Sequence, residues 1–170
     1  MPDRGAARSW AAAGSVTDSR PVPVAIALGS NLGDRESHFR EAIADLRRFL
    51  PTLRVSRFID TEPVDVGPQP RFLNAAATAT TTLDAAALLA HLLGIEAEHG
   101  RRRVSPGAAR TLDLDLILYG DAIIDEPGLV VPHPRFRQRG FVLDPLAEIA
   151  PDLVDPVTGK TIAELRRLLP

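Results

Sequence analysis

Asp113 and Asp115 stand two residues apart in "ARTLDLDLILYG", residues 109–120, with Arg110 three positions ahead of the first. Leu112, Leu114, Leu116 and Leu118 alternate with Asp113, Asp115 and Ile117, the two-residue period of a strand. That period puts both carboxylates on one face, about 7 Å apart along the chain. Their repulsion disfavours burial. A solvated edge strand would tolerate the pair, and bound cations would cancel it. Mg²⁺ takes one or two carboxylates and fills its remaining positions with waters and substrate phosphates.

The neighbouring segments favour cations and phosphate. "GRRRVSPGAAR", Gly100 to Arg110, carries four arginines and two glycines, and "VPHPRFRQRGF" supplies His133, Arg135, Arg137 and Arg139. Carboxylates on a rigid strand between flexible Arg-rich loops suit Mg²⁺ and polyphosphate, because phosphoryl transfer needs mainly positioning and positive charge. Of the 20 basic residues only Lys160 is a lysine, so any cation meeting a ligand is a planar fork suited to phosphate oxygens. Genomic bias alone can produce that preference.

The elements that must position these groups follow from periodicity. Residues 1–20 show no period and read as a disordered tail; residues 21–170 read as a single domain. Val22 to Leu28 is a short, nearly all-apolar run suited to a central strand. It leads through "GSNLGD" into a helix with Asp34 as N-cap, an apolar stripe of Phe39, Ile43, Leu46 and Leu50, and a stop at Pro51. Residues 53–61 alternate as one strand, "EPVDVGPQPR" is a loop, and "FLNAAATATTTL" is a strand rich in β-branched residues. A second helix runs from the N-cap Asp84 to His99 on Leu88, Leu89, Leu92 and Ile95, before the Arg-rich loop and the aspartate strand. Strand, helix, strand, strand, helix, strand is the βαββαβ order of a ferredoxin-like α+β sandwich. Beyond it come a short strand at "AII", a helix from about Pro134 to Ile149, and a last helix at "TIAELRRLL" with Thr161 and Glu164 spaced as a capping box.

Bulk composition narrows the class. The chain has 170 residues, 45% hydrophobic and 25% charged, as in an ordinary globular protein. A formal net charge of −2 gives no whole-protein argument for nucleic acid or an anionic membrane, and the absence of cysteine excludes disulfides and thiolate metal sites. No apolar run of about 18 residues is present, and "SWAAAGSV" lacks the apolar stretch of a secretory signal. The expectation is a cytoplasmic protein without nucleic-acid or membrane partners, with a monomer favoured.

"GSNLGD", "FLNAA", "RTLDLDLILYG" and "VPHPRFRQRGFVLDPLAEIAP", in that order, resemble the 6-hydroxymethyl-7,8-dihydropterin pyrophosphokinases of folate biosynthesis, over roughly Val22 to Leu169. The resemblance implies a ferredoxin-like core and transfer of pyrophosphate from ATP to the pterin hydroxymethyl group, releasing AMP. It implies that Asp113 and Asp115 bind two Mg²⁺ ions and that Arg101, Arg103 and Arg110 contact phosphates or close over them, Arg101 and Arg110 as part of the catalytic set. His133 and Arg139 match positions that meet the nucleotide, and Glu96 one close to it. Asn74 would hydrogen-bond the pterin edge between the faces of Phe72 and Phe141. Gly29 and Asn31 match the turn beneath the pterin, and Thr61 and Val64 match positions whose backbone meets its ring.

On residue type alone, Phe72 and Phe141 read equally as core aromatics, Asn74 as a bulge or edge residue, Gly29 as a simple turn glycine and His133 as a loop residue. His91 and His99 lack the spacing of a zinc HExxH site, and His38 reads as a solvated helix residue. The chain departs from the family pattern at Pro106, where a basic residue is common, and in a 101–110 loop that is shorter and lacks tryptophan. Phe72 stands where some members have tyrosine. A nucleotidyltransferase also pairs "GS" with "DxD", but at much closer range than Ser30 and Asp113. A ferredoxin-like RNA-binding module would show exposed aromatics on a basic sheet rather than two aspartates. A pterin-binding protein without catalysis would have no use for the aspartates.

Overall fold

The computed structural model describes residues 20–100 and 107–170. The proposed tail, Arg101, Arg103 and Pro106 lie outside the described residues, apart from Arg20 at the tail's end.

Strand β1 (Val22–Ser30) is the centre of the sheet. It pairs antiparallel with β4 (Phe72–Thr81) on one side and β5 (Asp113–Tyr119) on the other. Two short strands, β2 (Arg54–Val55) and β3 (Ile59–Thr61), both pair with β4. Helix α1 (Arg35–Phe49) follows β1, and α2 (Ala85–Glu98) links β4 to β5. Asp34 and Asp84 cap them by accepting from the Ser37 and Ala87 N–H groups. The order β2/β3-β4-β1-β5 with these connections is the ferredoxin-like α+β arrangement.

The expected strand over 53–61 is broken. Ser56 Oγ accepts the Ala76 N–H at 2.9 Å and donates to Arg57 C=O, so a hydroxyl replaces a ladder bond at the break. After β5 a hairpin forms from β6 (Ile124–Glu126) and β7 (Leu129–Val131), turning at Gly128 (φ +80°). The expected "AII" strand therefore starts later and has a partner that the sequence reading lacked. The helix expected from Pro134 begins only at α3 (Gly140–Ile149). A 3₁₀ turn at 136–138 precedes it, and Arg139, extended at φ −111° and ψ 100°, separates the two. Helix α4 (Ile162–Arg167) carries the expected Thr161–Glu164 capping box.

The two faces of the sheet differ. Val24, Ile26, Leu28, Leu73, Ala75, Leu114 and Leu116 pack on α1 and α2. Ala25, Ala27 and Ala76 lie on the opposite face beneath Val142, Leu143 and Leu146 of α3 and Ile162 and Leu165 of α4. A bulge on β5 opposite Ala25 and Ile26 shifts the register, so Leu118 joins Ile117 on the α3 side while Leu116 stays on the other. The four leucines thus share one face only as far as Leu116.

Candidate functional site

Asp113 pairs across the sheet with Gly29, and Gly29 with Asn74; one row along, Asp115 pairs with Ala27 and Ala27 with Ala76. Directly opposed residues project to the same side of a sheet, so both aspartates and Asn74 rise from the α3 face. The floor between them is glycine and alanine. A Cβ on Gly29 would meet Asn74 Oδ1 at 3.5 Å and the Asp113 Cβ at 3.7 Å.

A cleft of about 450 Å³, partly open to solvent, opens at the Asn74 end of this floor. Its lining includes Thr61, Val64, Phe72, Asn74, Arg110, Arg139 and Phe141, all expected from the sequence. Asn74 is 6% exposed, and its Nδ2 donates to Thr61 Oγ1 at 2.6 Å, which fixes the amide's orientation. Each aromatic carries a guanidinium: Arg110 lies 5.3 Å from the Phe72 ring centroid and Arg139 5.5 Å from that of Phe141. Phe141 is on the first turn of α3, and Arg139 is that helix's N-cap residue.

Arg110 ties the cleft to the carboxylates. Its Nη1 donates to Asp113 Oδ2 at 3.0 Å, and its backbone exchanges two hydrogen bonds with Asn31. Asn31 is nearly fully buried and does not line the cleft: it also donates to Gln69 Oε1 and the Pro70 carbonyl. Glu96 lines neither this cleft nor the next. It is 3% exposed, and its Oε1 accepts the Leu114 N–H at 2.7 Å, which caps the outer edge of β5 between the two aspartates.

Asp115 and His133 line a second cleft of about 620 Å³, also open to solvent. Its lining mixes these polar groups with apolar side chains: Leu89 and Leu93 of α2, Leu116 of β5, and Val130 and Val131 of the hairpin. Burial pushes the His133 imidazole down to about 4; Arg139 and Arg135 add to the depression and Asp113 opposes it. Burial likewise lowers the Arg139 pKa, against the attraction of Asp115 and Asp113.

Among the described residues no group of three or more His, Asp or Glu side chains is placed to hold a metal. Two half-buried carboxylates alone are a donor set that fits Mg²⁺, whose other positions go to waters and phosphates.

A family model described as 7,8-dihydro-6-hydroxymethylpterin-pyrophosphokinase (HPPK) matches residues 25–151. The chain belongs to the HPPK family. The "2-amino-4-hydroxy-6-hydroxymethyldihydropteridine pyrophosphokinase" of Synechocystis is 42% identical over 82% of this chain and 72% of that protein. The "Folic acid synthesis protein fol1" of Pneumocystis carinii is also 42% identical over 82% of this chain, which spans only 19% of the fungal protein. Among solved structures, wild-type HPPK-DHPS of Plasmodium falciparum superposes with a TM-score of 0.69 at 13% identity, covering 90% of this chain and 46% of that one. That likeness shows the shared fold.

The sequence reading missed several residues at these clefts. Glu62 and Val66 line the first. Gln69 Nε2 donates to the carbonyls of Val66 and Gly107, so with Asn31 it joins three loops. The apolar part of the second cleft's lining comes from helix and hairpin residues that periodicity marks only as core. Arg137, grouped with the cationic residues, turns away to Asp155. His38, expected to be solvated, is only partly exposed, and its Nδ1 lies 3.4 Å from His99 Nδ1.

Proposed function

We propose that the chain transfers the β,γ-pyrophosphoryl group of ATP to the hydroxymethyl group of 6-hydroxymethyl-7,8-dihydropterin, releasing AMP. The observation that carries the reading is the row Asp113–Gly29–Asn74. It sets a group suited to metal–phosphate and a group suited to a heterocycle edge on one floor, with no side chain between them. Two substrates can meet there.

In this reading Asn74, already oriented by Thr61, offers donor and acceptor to the pterin edge. Phe72 and Phe141 offer their faces to the ring, and Thr61 and Val64 line its rim. The second cleft takes the adenine against Leu89, Leu93 and Val130, with His133 beside it and Asp115 at the junction with its phosphates, toward which Arg139 reaches from the first cleft. Arg110 and Arg139 neutralise phosphate charge; Arg101 and Arg103 are assigned to the same task by resemblance alone. Asp113 and Asp115 would hold two Mg²⁺ ions, which would lower the pKa of the attacking hydroxyl and stabilise charge on the phosphate oxygens. Glu96 keeps β5, and with it both aspartates, in register.

The transfer balances simply. A bond forms between the hydroxymethyl oxygen and the β-phosphorus as the bond to the α,β-bridging oxygen breaks. AMP keeps that oxygen, and the hydroxyl proton passes to solvent. No general base is required of the protein. We read residues 21–170 as one cytoplasmic domain acting as a monomer on these two small molecules. Among the described residues no helix is long and apolar enough to cross a membrane.

The test is a coupled assay for AMP with ATP, Mg²⁺ and the pterin alcohol, run beside Asp115→Ala. AMP formed only with the pterin present, and lost in the variant, is the expected result. ADP in place of AMP, or no pterin-dependent turnover, would overturn the reading.

A further inference from the structure

The arginines of "PRFRQR" divide into two roles. Arg139 reaches into the first cleft, whereas Arg137 points the other way, into a turn at residues 155–160. This turn lies beyond the family-matched segment, which ends at 151. Asp155 has no solvent-exposed side-chain surface, and all of its acceptor capacity is used. Oδ2 accepts from Arg137 Nε and Thr158 Oγ1, each at 2.6 Å, and Oδ1 from Arg137 Nη2 at 2.8 Å and the Val157 N–H at 3.1 Å. The turn is itself closed by the Asp155 N–H to the Lys160 carbonyl and the Gly159 N–H to the Asp155 carbonyl.

Arg137 lies in the 3₁₀ turn that ends at Arg139, whose N–H donates to the Phe136 carbonyl. The Arg139 carbonyl in turn accepts the Val142 and Leu143 N–H groups that start α3. Any tilt of the 3₁₀ turn therefore moves Arg139, Phe141 and the chain back toward His133. Two fork-shaped hydrogen bonds from one planar guanidinium fix orientation as well as distance.

We propose that Asp155 is a positioning residue: through the bidentate Arg137 fork, the C-terminal turn braces the 133–139 segment so that Arg139 and His133 are set for the nucleotide. This rests on the nucleotide assignment made above. A buried ion pair is weak evidence for net stability; orientation is what the fork supplies beyond packing. A displacement of about 1 Å can cost on the order of a hundredfold in rate.

Three variants test it: Arg137→Lys, which keeps the charge but not the fork; Asp155→Asn; and Arg137→Met with Asp155→Leu, which removes both buried charges and preserves apolar packing. Dissociation constants for a non-hydrolysable ATP analogue with Mg²⁺ and for the pterin alcohol are measured separately, with thermal melts and amide exchange at Arg139. The expected result is nucleotide affinity about tenfold weaker in all three, a smaller loss of pterin affinity through the shifted Phe141, an unchanged melting temperature in Arg137→Lys, and faster exchange at Arg139. Unchanged nucleotide affinity in folded variants would overturn the proposal. So would nucleotide and pterin affinities falling together with the melting temperature. If the wild-type chain bound no ATP analogue, the functional reading would fall, and exchange at Arg139 would decide the brace on its own: unchanged exchange refutes it.

Discussion

Arg110 Nη1 donates to Asp113 Oδ2 at 3.0 Å while the same guanidinium lies 5.3 Å from the Phe72 ring centroid. One arginine thus touches a carboxylate assigned to metal and an aromatic assigned to the pterin. Charge-assisted hydrogen bonds of this kind are strong when partly buried, and both side chains are under a fifth exposed, at 17% and 18%. Arg110→Ala is expected to lower kcat/KM by about 10²–10³, the size of a lost electrostatic contact to developing charge. Arg110→Lys should recover only part, because a point charge cannot serve carboxylate and ring together. The AMP assay decides it; full activity in Arg110→Ala would remove Arg110 from the site.

Asp113→Asn and Asp115→Asn keep the side-chain size and lose the charge. Each should cut turnover by about 10²–10³ and raise the Mg²⁺ concentration for half-maximal rate, while circular dichroism stays that of wild type. Chelation should abolish turnover in the wild type and be reversed by Mg²⁺. An Asn variant with normal Mg²⁺ dependence would show that its carboxylate holds no ion.

Asn74→Ala removes an amide already held by Thr61. A site built to hydrogen-bond a ring edge discriminates strongly when that partner is lost, and leaving a buried polar group unsatisfied costs about 1–3 kcal/mol. The KM for the pterin should rise about ten- to a hundredfold with the KM for ATP little changed. Equal effects on both would place Asn74 in the scaffold and not in the pterin contact.

How far the sequence carries can be judged at single residues. The caps Asp34, Asp84 and Thr161 are local chemistry, visible as a residue type ahead of an apolar period, and the structure has all three. The aspartate pair is legible for the same reason, because Leu114 and Leu116 face the helices as the alternation requires. The bulge that sends Leu118 to the opposite face is not legible, since no glycine in "DLILY" marks it. Ser56 breaks its strand through a hydroxyl-to-backbone bond whose partner, Ala76, lies 20 residues away. Gln69 and Asp155 act on loops and turns brought close only by the fold, so no spacing announces them. Long-range polar partners are what a linear reading leaves out.

The His133 imidazole is held down to about 4, first by burial and then by Arg139 and Arg135. A cationic acid with a folded pKa below its unfolded value of about 6.5 favours the fold when neutral. Its contribution is fully present above about pH 6.5 and is lost as pH falls from there toward 4, because only the unfolded chain takes up the proton in that window. In substrate-free protein the His133 ring resonances should therefore stay unshifted from pH 8 to about pH 5 by NMR. A midpoint near 6.5 would mean that the ring is solvated and outside the cleft.

Gly29 offers the sharpest steric test of the shared floor. A methyl group there would meet Asn74 Oδ1 at 3.5 Å and the Asp113 Cβ at 3.7 Å, both ordinary contacts. Gly29 is in a regular strand, so an added side chain strains no backbone. Gly29→Ala should fold and keep activity within about tenfold, since added atoms in a well-packed place cost only about 1–3 kcal/mol at worst. Gly29→Val adds branches that must project into the gap between amide and carboxylate, where the two substrates are proposed to meet. Its melting temperature should match that of Gly29→Ala, while turnover falls by a further factor of about a hundred, the penalty for displaced reacting groups. If Gly29→Val were as active as Gly29→Ala, the strip between Asp113 and Asn74 could not be where the hydroxymethyl group meets the phosphate.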